Sequence, residues 1–285
     1  MTLESLRQFR ALIESGSFRV AAERVHRSQP AVSHQLKALE RELGHMLLER
    51  KTGKPTPAGQ RLYDRACRLL SDAEAMRREL NEFDESQARE LRLGTSDTTA
   101  LYFLPPVIRR FARSMPQTRL TIVNRPTEAI AEQVSLGDLD LGIITLPAGR
   151  PNLEARELFR QELVLVVPAS HRLSRSRRVE LSDLHDELFL LLDAGTRTGA
   201  LLRSHFRRTG FEPQVVLDSG SFEVIKRYIA EDVGVSFLPK IVITRADRAL
   251  TTLQVRGLPE VSIGAVWRKD SYQTQAEKTF LGLLT

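Results

Sequence analysis

The architecture of the N-terminal region depends on one segment, SQPAVSHQLKALE at residues 28–40. Its apolar side chains recur every three or four positions, which places them on one face of an α-helix. Ser28 is placed to cap this helix, and Pro30 lies in its first turn, where a missing N–H costs nothing. The predicted buried stripe consists of Val32, Leu36, Leu39 and Leu43.

Two shorter helices are predicted before this segment. The first ends near Ser15 and Gly16, and its apolar face is formed by Leu6, Phe9, Leu12 and Ile13. Ser17 can cap the second, which ends around His26 and carries the small apolar residues Val20, Ala21, Ala22 and Val25. Because only a short turn separates the second helix from the third, the pair is typical of a helix-turn-helix.

The polar face of the third helix suits the major groove of double-stranded DNA. Glutamine can bond to adenine, serine can donate or accept, and lysine can reach guanine or phosphate. The predicted contacts on this helix are Gln29, Ser33, His34 and Lys37. The alternative is a solvated polar face on a small helical bundle.

A basic hairpin is predicted directly after the third helix, in LLERKTGKPTPAG at residues 47–59. Arg50, Lys51 and Lys54 surround Gly53 there, so the hairpin predicts a wing against the phosphate backbone. Residues 1–58 hold ten Lys/Arg against six Asp/Glu, which makes this region the most cationic per residue. The order, the spacing and the basic wing together favour DNA binding.

Residues 6–59 resemble the winged helix-turn-helix of LysR-type transcriptional regulators. Ala21 and Ala22 match the family's paired alanines, and residues 28–40 match its recognition-helix signature. The resemblance implies DNA contacts by Gln29, Pro30, Ser33, His34, Lys37 and, in the wing, Arg50, with Lys54 as a further phosphate contact. His34 stands where the family commonly has arginine, and a histidine is not a permanent cation near neutral pH. RNA polymerase is a further partner that the resemblance implies.

A long helix is predicted over residues 56–83. Its apolar positions are spaced alternately four and three residues apart, which is a heptad seam that pairs with another helix. The seam consists of Leu62, Ala66, Leu69, Ala73, Met76, Leu80 and Phe83, with Leu62, Leu69, Met76 and Leu80 as the expected dimer contacts. The alternative is ordinary packing on the helix's own domain. The resemblance also implies a homodimer through this linker helix, with tetramers left open.

From residue 91 the pattern alternates between strands and helices in two rounds, which predicts two α/β units with mostly parallel sheets. The chain is expected to cross between them near QELVLVVPAS and again near EVSIGAVWR. This double crossing resembles the two-lobed effector domain of the same family, a periplasmic-binding-protein-like fold. The expected α/β architecture is a winged helix-turn-helix at 1–58, a linker helix and hinge at 59–89, and an effector domain at 90–285. Lobe I would take about 90–163 and 265–285, and lobe II about 164–264.

Hydroxyl side chains cluster at the predicted carboxyl ends of strands, where open parallel sheets bind ligands. The candidate effector residues are Ser96, Thr98, Thr99, Thr145, Thr196 and Thr198. Helix capping is the alternative role for each hydroxyl. The segment TSDTTALYFLPPVI resembles that of the family's sulfur-assimilation regulators, which implies a small-molecule anion such as sulfate. Arg125 and Arg197 would add charge to such a site, with a solvated strand end as the alternative role for Arg125. Asp97 would oppose an anion if its side chain pointed inward.

Composition excludes several classes of protein. The 285 residues are 41% hydrophobic and 27% charged, with a net charge of +6, which fits a folded protein of two or three domains. No apolar run suits a membrane span and the N-terminus does not resemble a signal peptide, so we expect a cytoplasmic protein. Cys67 is the single cysteine, which excludes an internal disulfide.

An enzyme is not expected, because the sequence lacks the common nucleophile, phosphate-loop, dinucleotide and metal-ligand motifs. No cofactor or metal is expected either. The interpretation is a DNA-binding LysR-type regulator whose operator binding responds to a small molecule. The alternative is a solute-binding or catalytic α/β protein in which the helix-turn-helix serves another role.

Overall fold

A computed structural model describes residues 1–49, 52–81, 89–176, 179–269 and 271–284. The chain forms two compact units. The N-terminal unit comprises residues 1–87 with 135–138 and 270–274, and the C-terminal unit comprises 88–134, 139–269 and 275–285. Among the helices in the described ranges, none is long and apolar enough to cross a membrane.

The N-terminal unit contains the three predicted helices and the linker helix. They are α1 (Leu3–Ser15), α2 (Phe18–Arg24), α3 (Gln29–Leu43) and α4 (Pro57–Asn81). The Ser28 hydroxyl accepts a hydrogen bond from the Ala31 N–H at 3.4 Å, as predicted for the cap of α3. Ser17 holds the capping position of α2 but makes no side-chain cap bond. The second helix is also shorter than predicted, because His26 adopts a left-handed φ of 52°.

These helices pack their predicted apolar faces together. The shared core consists of Phe9, Ala11, Leu12, Ala21, Ala22, Val32, Leu36, Leu39, Leu47 and Leu48, with Ile13, Val25 and Leu43 at its edge. After α3 the chain forms the expected hairpin, in which Leu48 pairs with Pro55 and the Glu49 N–H donates to the Lys54 carbonyl at 2.8 Å. Arg50 and Lys51 lie outside the described residues.

The linker helix α4 has two different apolar faces. Ala66 and Leu70 are buried against Leu6 of α1, with half-buried Leu62 at the edge of the same cluster. On another stripe Leu69, Met76 and Leu80 are 47%, 58% and 62% exposed. The early heptad positions Leu62 and Ala66 therefore pack within the chain, as in the alternative interpretation of the seam. Leu62 is predicted as a dimer contact, but part of its side chain is already covered within its own unit. Phe83 lies outside the described residues.

Cys67 is fully buried on the inner side of α4. Burial raises the pKa of its thiol to about 11, so the sulfur stays protonated near neutral pH. The residue is a packing side chain rather than a reactive thiolate.

The C-terminal unit alternates strands and helices along the chain. Its strands are β1 (Arg89–Thr95), β2 (Thr118–Asn124), β3 (Leu141–Thr145), β4 (Leu153–Gln161), β5 (Leu163–Pro168), β6 (Leu188–Leu192), β7 (Gln214–Ser219), β8 (Ser236–Pro239), β9 (Leu250–Leu253) and β10 (Val261–Arg268). Its helices are α5 (Leu104–Ser114), α6 (Thr127–Leu136), α7 (Arg197–Thr209), α8 (Phe222–Ala230) and α9 (Gln275–Leu283), with a π-helical turn at Thr99–Phe103 before α5.

The strands form two lobes. In lobe I the sheet order is β2-β1-β3-β10-β4, with β1 parallel to β2 and β3 and with β10 antiparallel to its neighbours. Lobe II contains β8-β5-β9 and the parallel pair β6-β7, joined by a bridge between Phe189 and Val235. The chain crosses between lobes after Gln161 and again before Val261. The expected boundary at 264 falls inside β10, because the whole of that strand belongs to lobe I.

Strand β1 packs closely against α6 just before the candidate effector residues Ser96, Thr98 and Thr99. A Cβ on Gly94 would lie 2.6 Å from Leu139 Cδ1 and 2.7 Å from Ile130 Cγ2, so β1 approaches its neighbours without room for a methyl group. Glycine is required at position 94 because a larger side chain would collide with these neighbours, and not because the backbone has a positive φ.

Gly94→Ala is therefore expected to destabilise the C-terminal unit by about 1–3 kcal/mol through overpacking. Denaturant unfolding of the purified protein measures the change. Gly282→Ala is the matched control, because a Cβ at that position of α9 meets no atom within 4 Å and alanine favours a helix. Equal destabilisation by both substitutions would contradict the packing argument.

Candidate functional site

The polar face of α3 is open, as the sequence predicts for a DNA-reading helix. Gln29, Pro30, His34 and Lys37 are exposed and Ser33 is half-buried. Lys54 on the hairpin is exposed as well. The structure thus presents these predicted side chains on the surface, whereas Val32, Leu36 and Leu39 on the other face hold the helix in the core.

A groove of about 860 Å³ lies between α3 and the hairpin. Its walls include Ser33, His34 and Lys37 from the predicted set. Arg41 and His45 also line it, and both were missed by the sequence analysis. The signal was available for Arg41, because it follows Lys37 by four residues and so shares its helix face. The groove therefore places further basic side chains beside the predicted contacts.

The six candidate effector residues meet in one cavity of about 250 Å³ between the two lobes of the C-terminal unit. They are Ser96, Thr98, Thr99, Thr145, Thr196 and Thr198. The remaining walls are Asp97, Asn124, Arg125, Pro126, Thr127, Gln161, Leu192, Arg197, Gly220, Ser221, Phe222 and Ile263. Side chains more than 100 positions apart in the chain are thereby brought to one place.

The direction of the strands explains this convergence. Parallel strands end at the same edge of each sheet, and the helices that follow begin at that edge. Accordingly, four helix N-termini line the cavity: those of α6, α7 and α8, and that of the helical segment that begins at Asp97. Helix N-termini carry unpaired N–H groups and partial positive charge, so the arrangement favours a negatively charged ligand.

Two of the six hydroxyl groups are engaged as caps. The Thr196 hydroxyl accepts from the Gly199 N–H at 3.0 Å and donates to the Asp193 carbonyl at 2.7 Å. Ser96 Oγ accepts from the Thr99 N–H at 3.4 Å and lies 3.2 Å from Thr99 Oγ1. The capping alternative therefore holds for Thr196 and Ser96, and both residues position the helix ends that line the cavity.

The charged residues around the cavity have partners of their own. Arg197 donates to the Pro147 carbonyl and lies 3.4 Å from a Glu128 carboxylate oxygen, so it bridges lobe II to lobe I. Arg125 is exposed and donates to the Asn124 carbonyl at 2.9 Å. Asp97 is exposed at the cavity wall. Arg197 is thus a contact between the lobes as well as a wall of the cavity.

Gln161 is a polar wall residue that the sequence analysis missed. It is buried, with 7% of its surface exposed, at the point where the chain leaves β4 of lobe I for β5 of lobe II. The sequence signal was its place in QELVLVVPAS, the segment predicted to connect the lobes. An amide at this crossing can face a ligand while lying between both sheets.

Comparison with known proteins identifies both units. Residues 3–60 match the family description "Bacterial regulatory helix-turn-helix protein, lysR family" and residues 84–285 match "LysR substrate binding domain". A probable RuBisCO transcriptional regulator of Cyanidium caldarium is 30% identical, covering 99% of this chain and 94% of the relative. The regulator CbbR of Xanthobacter flavus is 32% identical, covering 91% and 80%.

Solved structures agree along the whole chain. A full-length OxyR variant from Pseudomonas aeruginosa superposes with a TM-score of 0.77 at 27% identity, covering 100% of this chain and 94% of that one. Full-length CbnR in complex with its target DNA shares the fold, with a TM-score of 0.67 at 24% identity and coverage of 100% and 99%. The resemblance inferred from the sequence is confirmed: the chain belongs to the LysR family of DNA-binding transcriptional regulators, with a helix-turn-helix domain and an effector-binding domain.

Proposed function

We propose that this regulator binds its operator as a dimer and that a small anion in the cavity between the lobes changes that binding. The observation that carries the proposal is the cavity itself, where six hydroxyl residues from both lobes and four helix N-termini converge. Its partners are double-stranded DNA, a second copy of the chain, the anion and, at a promoter, RNA polymerase.

The DNA contacts are assigned to the open face of α3 and to the hairpin. Gln29, Ser33, His34 and Lys37 have the donors and acceptors that read base edges, and Pro30 starts the helix in the orientation that presents them. Lys54, and Arg50 outside the described residues, are assigned to phosphate contacts. Such contacts set register and salt dependence, whereas base contacts set sequence preference.

The dimer contact is assigned to the exposed stripe of α4. Leu69, Met76 and Leu80 leave much of their apolar surface open on one side of the helix, and Leu62 lies at the end of the same heptad series. A second copy of α4 would remove that surface from water. Two recognition helices would then read two half-sites of an operator.

The size and chemistry of the cavity support a small anion. Its volume of about 250 Å³ lies below the roughly 300–1,000 Å³ of sites for drug-sized ligands. Thr98, Thr145 and Thr198 supply hydroxyl groups that can donate to an oxyanion, and the helix N-termini add positive potential. Binding can alter DNA affinity only through a difference in ligand affinity between two arrangements of the protein.

Thr98→Val is expected to remove the stabilisation that an anion confers, because it deletes a wall hydroxyl and retains the side-chain volume. Thermal unfolding with sulfate, thiosulfate, phosphate, dicarboxylates and aromatic acids measures the effect. A ligand at ~100 times its dissociation constant stabilises the native state by about 2.7 kcal/mol. Thr252→Val, on an exposed position of β9, is the control that should retain the shift. If none of these anions shifts the wild-type melting temperature, the proposal of an anionic effector is wrong.

Lys54→Ala is expected to weaken binding to all DNA sequences and to lower the slope of log K against log salt by about one, because one phosphate contact is lost. Gln29→Ala should instead change preference at particular base pairs. Fluorescence anisotropy over a salt series and over base-substituted operators measures both. Lys269→Ala, an exposed lysine of the C-terminal unit, is the control. An unchanged salt slope for Lys54→Ala would remove this residue from the interface.

Met76→Lys is expected to raise the dimer dissociation constant at least about a hundredfold, because a buried ammonium without a partner costs several kcal/mol. Sedimentation equilibrium measures the assembly. Met46→Lys is the matched control, since Met46 is 44% exposed in the same unit but lies off α4. A dimer that persists in Met76→Lys would exclude this stripe as the contact.

A further inference from the structure

A polar cluster of half-buried Tyr102, exposed Glu223 and buried Lys226 joins the two lobes beside the cavity and has no part in the proposed binding of the anion. Tyr102, in the π-helical turn of lobe I, donates its hydroxyl hydrogen to a carboxylate oxygen of Glu223 in lobe II. Lys226, one turn further along α8, donates to the same phenolic oxygen at 3.0 Å. Its ammonium also lies 5.4 Å from the centre of the Tyr102 ring.

Lys226 is the centre of this cluster. Its side chain is almost fully buried, and its Nζ lies 2.8 Å from the Val242 carbonyl, 3.1 Å from Asp247 and 3.3 Å from Glu223. Burial alone would lower the pKa of Lys226, but the hydrogen bonds with Tyr102 and Asp247 raise it above its ordinary value. The ammonium therefore stays charged, and a buried charge holds its oxygen partners strongly.

Tyr102 is the member of the cluster that comes from the other lobe. Burial, and then the hydrogen bond to Glu223, raise the pKa of its phenol, so the hydroxyl stays protonated at neutral pH. It can donate to Glu223 while it accepts from Lys226. Loss of the hydroxyl would leave Lys226 with its lobe II partners Val242 and Asp247. The ring of Tyr102 also packs against the apolar core of lobe II, and a phenylalanine would retain that contact.

The cluster is joined directly to the cavity walls on both sides. Thr99 lines the cavity and begins the same π-helical turn that carries Tyr102. Phe222 lines the cavity and precedes Glu223 in α8. A π-helical turn inserts an extra residue into a helix and is frequent at functional sites, because it changes the direction of the side chains that follow.

Arg197 forms a second polar bridge between the lobes. It joins α7 of lobe II to Pro147 and Glu128 of lobe I, whereas Tyr102 joins the π-helical turn to α8. The two bridges use different helices on both lobes. Loss of one bridge therefore leaves the other polar contact between the lobes in place.

We propose that Tyr102 is a positioning residue that holds the lobes closed through Glu223 and Lys226 and thereby sets how readily the cavity admits a ligand. This inference rests on the proposed function for the role of the cavity, whereas the contact of Tyr102 with Glu223 and Lys226 is made by side chains of this chain alone. A ligand that binds the closed form has its apparent affinity reduced by the fraction of protein that is open. The same contact would thus set both the resting arrangement and the threshold for a response.

The test measures the distance between the lobes in full-length protein without ligand. Cysteines replace Arg113 of α5 in lobe I and Ala194 after β6 in lobe II, both exposed, and carry spin labels. Native Cys67 is buried and its raised pKa keeps it unreactive. Labelled chains are diluted into unlabelled chains, so that distances within one chain dominate the double electron–electron resonance signal.

Tyr102→Phe is expected to raise the ratio of open to closed distances about tenfold, because a hydrogen bond to charged partners is lost. Glu223→Gln retains an acceptor without the charge and should give a smaller shift in the same direction. Tyr228→Phe, which deletes an exposed hydroxyl from the same helix α8, should leave the distances unchanged.

Two results would overturn the proposal. One is a Tyr102→Phe distance distribution identical to that of the wild type, and the other is an equal shift in Tyr228→Phe. Because no ligand is present, the outcome is independent of the anion panel. A shift in distance in Tyr102→Phe without anion binding to the wild type would support the role of Tyr102 and reject the anionic effector. Anion binding with no shift in distance would reject only the role of Tyr102.

Discussion

The first N–H groups of a helix have no partner within the helix, and this constraint organises the C-terminal unit. Parallel strand–helix connections bring these groups to one edge of each sheet, and the two edges face each other across the cavity. Ser96 and Thr196 each accept from one of these groups by capping, and the proposed anion would meet others at the cavity wall. The same geometry therefore stabilises the helices and creates a positive site between the lobes.

The cavity lies beside the two chain segments that connect the lobes. The chain passes from β4 to β5 and returns before β10, so the lobes are covalently joined at two points that lie beside the cavity. The polar contacts that Arg197 and Tyr102 make across the cavity are each of the size of one hydrogen bond to a charged group, which is small beside the stability of a domain. On the proposed function, a ligand that touches both walls would add to these contacts between the lobes.

In the N-terminal unit, the linker helix α4 has two apolar faces. The inner face of α4 packs Ala66 and Leu70 on α1, and its outer face leaves Leu69, Met76 and Leu80 exposed. If the second face holds the partner, as proposed, the spacing of the two half-sites would depend on how the first face packs against α1. Disruption of either face would then alter DNA binding without any contact to DNA.

Much of this was determined by the sequence alone. Apolar spacing is a local property, so it predicted α1, α3, α4 and the alternation of strands and helices, and strand ends identified six hydroxyl residues that share one cavity. Tertiary structure decided what depends on distant partners. It assigned β10 to lobe I, packed Leu62 within its own chain, and joined Tyr102 to Lys226 across 124 positions. Such contacts have no periodicity along the chain, because they are selected by which surfaces meet after folding.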